Sequence, residues 1–274
     1  YCQEEDVKFI RLAFCDLTGR QKNIAIMPEE LGRAFRYGIS FDASAIPGFG
    51  DEVRSDLFLF PDPSTLSVLP WRSAQGQVVR MFCDIRRPDG SPFERDSRRL
   101  LKKAVEAAKE MGITCYFGAE FEFYLFRTGE NGEATRIPYD NAGYMDIAPE
   151  DKGENVRREI CLTLVDMGIR PEGSHHEEGP GQNEIDFRYS DALTAADNAV
   201  TIQAVLKTIA MQNGLSACFS PKPLPDQSGN GLHINMSLQG ARDQRQRDAF
   251  MAGILRHVRE ITAFLNPTEE SYLR

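Results

Sequence analysis

At 274 residues the chain has room for one large domain or two smaller ones, and its 41% hydrophobic, 27% charged composition is that of a globular protein. A net charge of -9 argues against general nucleic-acid affinity, which is driven by clustered Lys and Arg. No apolar run approaches the ~20 residues of a membrane span, and the start "YCQEEDVKF", which lacks an initiator methionine, is too acidic for a signal peptide. The six cysteines are scattered, without CxxC spacing and mostly in apolar stretches, so they are expected to be reduced core residues of a cytoplasmic protein.

In chain order, "VKFIRLAFCD" (7–16) alternates apolar and polar positions as a half-buried strand does, and "LTGRQ" supplies a turn. "PEELGRAFRYG" (28–38) predicts a short helix that opens at Pro28 and closes at Gly38. The proline-rich "FPDPSTLSVLPW" (60–71) must be irregular or lie at a sheet edge. "RRPDGSPFERD" (86–96) is the densest cluster of breakers and sets a domain boundary, dividing residues 1–92 from 93–274. After it, "DSRRLLKKAVEAAKEMG" (96–112) is a strong helix with Asp96 as N-cap and Gly112 as its stop. Further helices are predicted at 150–167, 191–213 and about 245–265, with strands at 113–127, about 182–189 and 231–238. The class is α+β, a small β-rich domain followed by a larger one.

The chemistry begins at "FGAEFEFYLF" (117–126), where Glu120 and Glu122 interrupt an aromatic run. In a strand, residues i and i+2 share a face roughly 7 Å apart, so both carboxylates project together, opposite Phe121 and Phe123. Burying them is costly unless something positive meets them. "HHEEGPGQNEIDFRY" (175–189) adds Glu177, Glu184 and Asp186 around a Gly-Pro-Gly turn. His175 and His176 are taken as loop residues and neither is given a metal ligand role, with a place behind the ligands left open for His176; Asp186 and Arg188 are read as a strand ion pair, and His257 as a helix residue. "DQSGNGLHINMSL" (226–238) is a glycine-rich loop leading into a strand whose polar side is His233, Asn235 and Ser237. Three such strands would form one acidic, His-containing floor, and crowded carboxylates repel unless cations neutralise them. Oxygen-rich ligand sets with a single His favour Mg²⁺ or Mn²⁺ over structural zinc. Neither GxxxxGK[ST] nor GxGxxG occurs, so metals must carry any phosphate chemistry.

At these residues the sequence resembles the bacterial type I glutamine synthetases, along essentially all of its length. The motifs are "FDASAIPGF", "PDPSTLSVLPW", "GAEFEFYLF", "HHEEGPGQNE", "PKPLPDQSGNGLHINMSL" and "NPTEESYLR", in this order. The resemblance implies a β-grasp N-terminal domain and a catalytic α/β domain with a curved antiparallel sheet. It implies that ATP phosphorylates the side chain of L-glutamate and that ammonia attacks the γ-glutamyl phosphate, with two or more Mg²⁺ or Mn²⁺ ions per site. By position, one ion would take Glu122, Glu177 and Glu184, and the second Glu120, His233 and a glutamate beyond residue 274. His233 would coordinate through a neutral ring nitrogen. Gly229 matches the backbone that holds the substrate amino group, and Arg274 the clamp on its α-carboxylate. Glu172, Tyr189, Asn235 and Ser237 match nucleotide-side positions. Asp42 matches the aspartate that a neighbouring subunit gives to the ammonium site.

There are departures from the family pattern. FDGSS becomes Phe41-Asp42-Ala43-Ser44-Ala45, and Asn235 replaces a second histidine. The family also continues past "SYLR" with a glutamate-bearing flap, further arginines and the last metal ligand, so the chain is expected to be C-terminally truncated and inactive by itself. Family members form homo-oligomers of two stacked hexameric rings, with no membrane or nucleic-acid partner. The alternative functions are a ligase joining glutamate to a polyamine or another amine, and a non-catalytic relative kept for assembly.

Overall fold

The computed structural model describes residues 1–50, 55–72 and 76–274. The chain forms two compact units, Tyr1–Ala107 and Ala108–Arg274.

In the first unit the elements are β1 (Val7–Cys15), β2 (Gln21–Ile26), α1 (Leu31–Tyr37), β3 (Ile39–Asp42), β4 (Asp56–Pro61), β5 (Ser67–Val68), β6 (Gln77–Arg86) and α2 (Ser97–Glu110). Their sheet runs β2-β1-β6-β4-β3, with β5 on β6. The β1–β6 pairing is parallel and the others are antiparallel. The alternation seen in 7–16 does its expected work: Ile10, Leu12, Leu59, Val79, Met81 and Ile85 are fully buried. Asp16 makes the β1–β2 turn by accepting hydrogen bonds from Thr18 N (2.9 Å), Thr18 Oγ1 (2.7 Å) and Arg20 N (3.0 Å). A short 3₁₀ turn over Pro28–Glu30 opens α1, which closes at Gly38 with φ 73°. There a side chain would also strike the Phe60 ring, at 2.8 Å, so both the backbone and the packing require glycine. The proline-rich stretch is irregular as expected, two 3₁₀ turns flanking the short β5. Asp96 caps α2 by accepting from Arg98 N (3.1 Å), and its other oxygen accepts from Ile85 N (3.0 Å).

The second unit holds β7 (Thr114–Thr128), β8 (Ala134–Pro138), α3 (Glu154–Asp166), β9 (Pro171–His176), β10 (Gln182–Phe187), β11 (Ser190–Asp191), α4 (Ala192–Gln212), β12 (Leu215–Cys218), β13 (Leu232–Gln239), α5 (Gln244–Arg256) and α6 (Val258–Leu265). Every pairing in its sheet is antiparallel. The spine is β7, 15 residues long. Its registers put β13 and β12 along one edge and β11, β10 and β8 along the other, with β9 outside β10. One face is apolar: Phe121, Phe123, Ile185 and Phe187 are buried, and the Phe121 and Phe187 rings meet edge to face at 5.9 Å. α4 packs against β7 and β12, and α3 against α4 and β9. These helices bury Ile202, Val205, Leu206 and Ile209 from α4 and Val156, Ile160 and Leu164 from α3. No described helix is long and apolar enough to cross a membrane.

Two expectations fail here. The helix expected over 245–265 is two helices, because His257 leaves helical geometry (φ -106°, ψ 14°) between α5 and α6. His175 and His176 are not loop residues but the last two of β9, where pairing with β10 overrides a Gly- and Ser-containing sequence of poor strand propensity.

Candidate active site

The opposite face of the same sheet carries the polar residues, because strand alternation that buries Phe121 and Phe123 must turn Glu120 and Glu122 the other way. Register then lines them up with their neighbours. One row crosses four strands: Gly173 on β9, Asp186 on β10, Glu120 on β7 and His233 on β13. The next row is His175, Glu184 and Glu122. Directly opposed side chains on one face lie about 5 Å apart at Cβ, so two rows suffice to crowd these groups.

The contacts follow. His233 Nδ1 lies 3.1 Å from Glu120 Oε2 and 3.9 Å from Glu122 Oε1. His175 Nε2 lies 3.0 Å from Glu177 Oε1 and 3.3 Å from Glu184 Oε2. Ligand-type atoms of Glu120, Glu184 and His233 all fall within 4.8 Å of one another, as do those of His175, Glu177 and Glu184. Thus Glu120, Glu122, Glu177, Glu184 and His233 converge, with Glu184 common to both groups. Asn235 Nδ2 donates to Glu120 Oε1 (2.6 Å), while Ser237 stands two pairs further along β13, opposite Tyr116.

The glycine-rich loop closes one side. Gly231 N donates to Glu122 Oε2 (2.8 Å), and a side chain at Gly231 would come 2.5 Å from Glu122 Oε1 and 2.9 Å from His233 Nε2. Gln182 Nε2 sits 3.2 Å from each of Glu122 Oε2, Gly229 O and Asn230 Oδ1. The buried Tyr124 hydroxyl donates to Ser228 O (2.6 Å). Arg274 lies against Gly229, and its Nη2 is 3.9 Å from Glu122 Oε1. Glu172 is exposed at the β9–β10 register slip, and Tyr189 is half-exposed beside Gly118. Asp42 belongs to the first unit, where it caps a 3₁₀ turn and Ser44 N and Oγ hold its carboxyl below the usual range.

The Asp186–Arg188 ion pair does not form among the described residues: Arg188 is exposed past the end of β10, and Asp186 faces the carboxylates. His175, Gln182 and Gly231 were missed as site residues. The signal for Gln182 and Gly231 was their i±2 spacing from Glu184 and His233, which puts them on the polar face.

Electrostatically the face is overloaded. Burial, then Glu177, Asp186 and Glu122, push the Glu184 carboxyl up to about 8, and burial with Glu120 and Glu172 raises Asp186. Among the described residues, the buried Asp186 Oδ1 has no hydrogen-bond partner. A buried orphan oxygen in a set of oxygen donors with one or two imidazoles fits hard divalent cations. The 3.1 Å between His233 Nδ1 and Glu120 Oε2 is a hydrogen-bond distance. It is also about the spacing of adjacent donors around an octahedral ion with ~2.1 Å bonds.

Residues 6–88 match the glutamine synthetase β-grasp domain, and residues 94–274 match the glutamine synthetase catalytic domain. The chain belongs to the glutamine synthetase family. It is similar to the glutamine synthetase of Clostridium saccharobutylicum, with 46% identity over 99% of this chain, and to that of Staphylococcus epidermidis, with 42% identity over 100%. It spans 64% of the length of each. Among solved structures, one described as a GmaS/ADP complex superimposes with a TM-score of 0.89 at 29% identity, covering 100% of this chain and 65% of that one. Plasmodium falciparum glutamine synthetase gives 0.89 at 28%, covering 99% and 61%.

Proposed function

We propose that the chain supplies the β-grasp domain and the polar sheet face of an ATP-dependent ligase that joins ammonia to L-glutamate through γ-glutamyl phosphate, giving L-glutamine, ADP and phosphate. The observation that carries this reading is the pair of adjacent cross-strand rows that gather Glu120, Glu122, Glu184 and His233. Glu122, Glu177 and Glu184 would hold one Mg²⁺ or Mn²⁺, and Glu120 with His233 the other. Such ions neutralise charge on a transferring phosphoryl group. The chain's own groups do the positioning. Gly231 N and Gln182 orient Glu122, Asn235 orients Glu120, and the Gly229 backbone and Arg274 flank the place of the substrate's amino and carboxylate ends. A guanidinium suits a carboxylate because its paired N–H groups match the two oxygens. The GmaS structure is described as an ADP complex, which supports nucleotide binding by a chain of this fold, and Glu172, Tyr189, Asn235 and Ser237 would be its nucleotide-side residues. Asp42 would favour NH₄⁺ and help deprotonate it in a homo-oligomer that shares its sites between subunits.

The test is glutamine formation by the full-length protein with ammonia and with a panel of amines including polyamines. Ammonia is the expected acceptor, and Asp42→Asn is expected to lower turnover at least tenfold. A faster reaction with a larger amine would move the assignment to that acceptor, an alternative that the altered flanks of Asp42, Ala43 and Ala45, keep open.

A further inference from the structure

His176 follows His175 on β9 and therefore points to the hidden face, where it is fully buried. Both ring nitrogens face acceptors: Nδ1 lies 2.6 Å from the Glu177 backbone oxygen and Nε2 2.9 Å from Asp140 Oδ1. A carbonyl has no proton to give. Asp140 already accepts from Gly181 N (2.9 Å) and Lys152 N (3.0 Å), so it too serves as an acceptor. His176 therefore bridges the Glu177 carbonyl and the Asp140 carboxylate.

Behind it lies a second buried pair. Arg157 grips Asp151 with both terminal nitrogens (3.1 and 2.5 Å) and reaches Asn183 Oδ1 (2.5 Å), while Asn183 Nδ2 donates to Gly181 O (2.9 Å). Asp140, Asp151 and His176 lie close enough together to suggest a metal site. Yet both carboxylates are already occupied here, Asp140 by His176, Gly181 N and Lys152 N and Asp151 by Arg157, unlike the open face beyond the sheet. What the two pairs grip is the 177–181 turn. His176 holds the carbonyl of Glu177, Asp140 holds Gly181 N, and Asn183 holds Gly181 O. Glu177 leads that turn and Glu184 follows it.

We propose that the His176–Asp140 pair, backed by Arg157, Asp151 and Asn183, is a positioning device that fixes the 177–181 turn so that Glu177 stands beside Glu184 before a divalent cation arrives. This rests on the metal reading above. Groups that orient metal ligands typically change affinity by about 10–100-fold when removed.

The experiment is Mn²⁺ titration of this chain by calorimetry and electron paramagnetic resonance, with Glu177→Gln to identify which dissociation constant belongs to the Glu177/Glu184 ion. Asp140→Asn and, independently, His176→Gln are expected to weaken that ion about tenfold and leave the Glu120/His233 ion unchanged. Leu164→Ala, which opens a cavity in the core of α3 away from the turn, serves as the control for plain destabilisation. It should lower the melting temperature without moving either constant. Wild-type affinity in both Asp140→Asn and His176→Gln, or an equal loss in Leu164→Ala, would overturn the positioning role. Absence of Mn²⁺ binding by the wild type would remove the metal reading, and this inference with it.

Discussion

Glu184 of β10 and Glu122 of β7 are direct cross-strand partners with their carboxyl groups on the same face. Ionising both carboxyl groups so placed costs stability, and burial raises that cost, so Glu184 keeps its proton up to about pH 8. Divalent cations are therefore expected to stabilise the second unit, by about 2.7 kcal/mol at a hundredfold excess over the dissociation constant. Glu122→Gln and Glu184→Gln should each raise the melting temperature of the metal-free chain and abolish most of the rise produced by Mn²⁺. Thermal melts with Mn²⁺ and with a chelator measure both effects; a metal-insensitive wild type would contradict the prediction.

The Glu184 carboxyl sets a pH dependence. Its folded value of about 8 lies above its ordinary 4.5, so between these values the folded chain binds more protons than the unfolded one. Stability of the metal-free chain should accordingly fall as pH rises through that window and level off above it. Cations must displace the proton, so Mn²⁺ affinity should rise with pH, up to about tenfold per unit, until about pH 8. Calorimetry in buffers of different ionisation enthalpy should show proton release at pH 7 and little at pH 9. A pH-independent affinity between 6 and 8 is the result that contradicts this.

Gly231 has no room for a side chain, since a methyl group there would lie 2.5 Å from Glu122 Oε1. Gly231→Ala must push the Glu122 carboxylate aside or shift the loop. The expected loss in Mn²⁺ affinity is at least tenfold with the fold retained, checked by titration alongside circular dichroism.

Tyr124→Phe removes the hydrogen bond to Ser228 O while keeping the ring stack with Phe126, whose centroid is 5.5 Å away. A loss of about 1 kcal/mol is expected from the denaturant midpoint. Hydrogen exchange should quicken at 228–231 while the rest of the sheet keeps its protection. Uniformly quickened exchange would show that the hydroxyl does not tether the loop in particular.

Much of this arrangement was legible in the chain. The alternation of "AEFEF" gives the two faces of β7, and the turn-strand pattern after Gly181 gives β10 with Glu184 on the polar side. The breaks that escaped notice have physical causes. β9 is "PEGSHH", a segment with no β-branched residue that becomes a strand because β10 offers a pairing edge. His257 gave no breaker signal, since histidine tolerates helix interiors and only its backbone angles end α5. The partner of Asp186 was misjudged for a similar reason. An i+2 arginine looks sufficient in one dimension, but the cross-strand neighbours Glu120 and Gly173 decide what Asp186 meets.

Because β7 pairs along both edges, a one-residue insertion between Gly118 and Glu120 would do more than displace a ligand. Every later side chain would change sides, turning Glu122 into the packed interior and Phe123 into the polar basin. Core and chemistry are thus written on alternate letters of one segment, and neither can drift without corrupting the other. Mutational tolerance along this stretch should be uniformly low, with the intolerant positions for folding and for ion binding strictly interleaved.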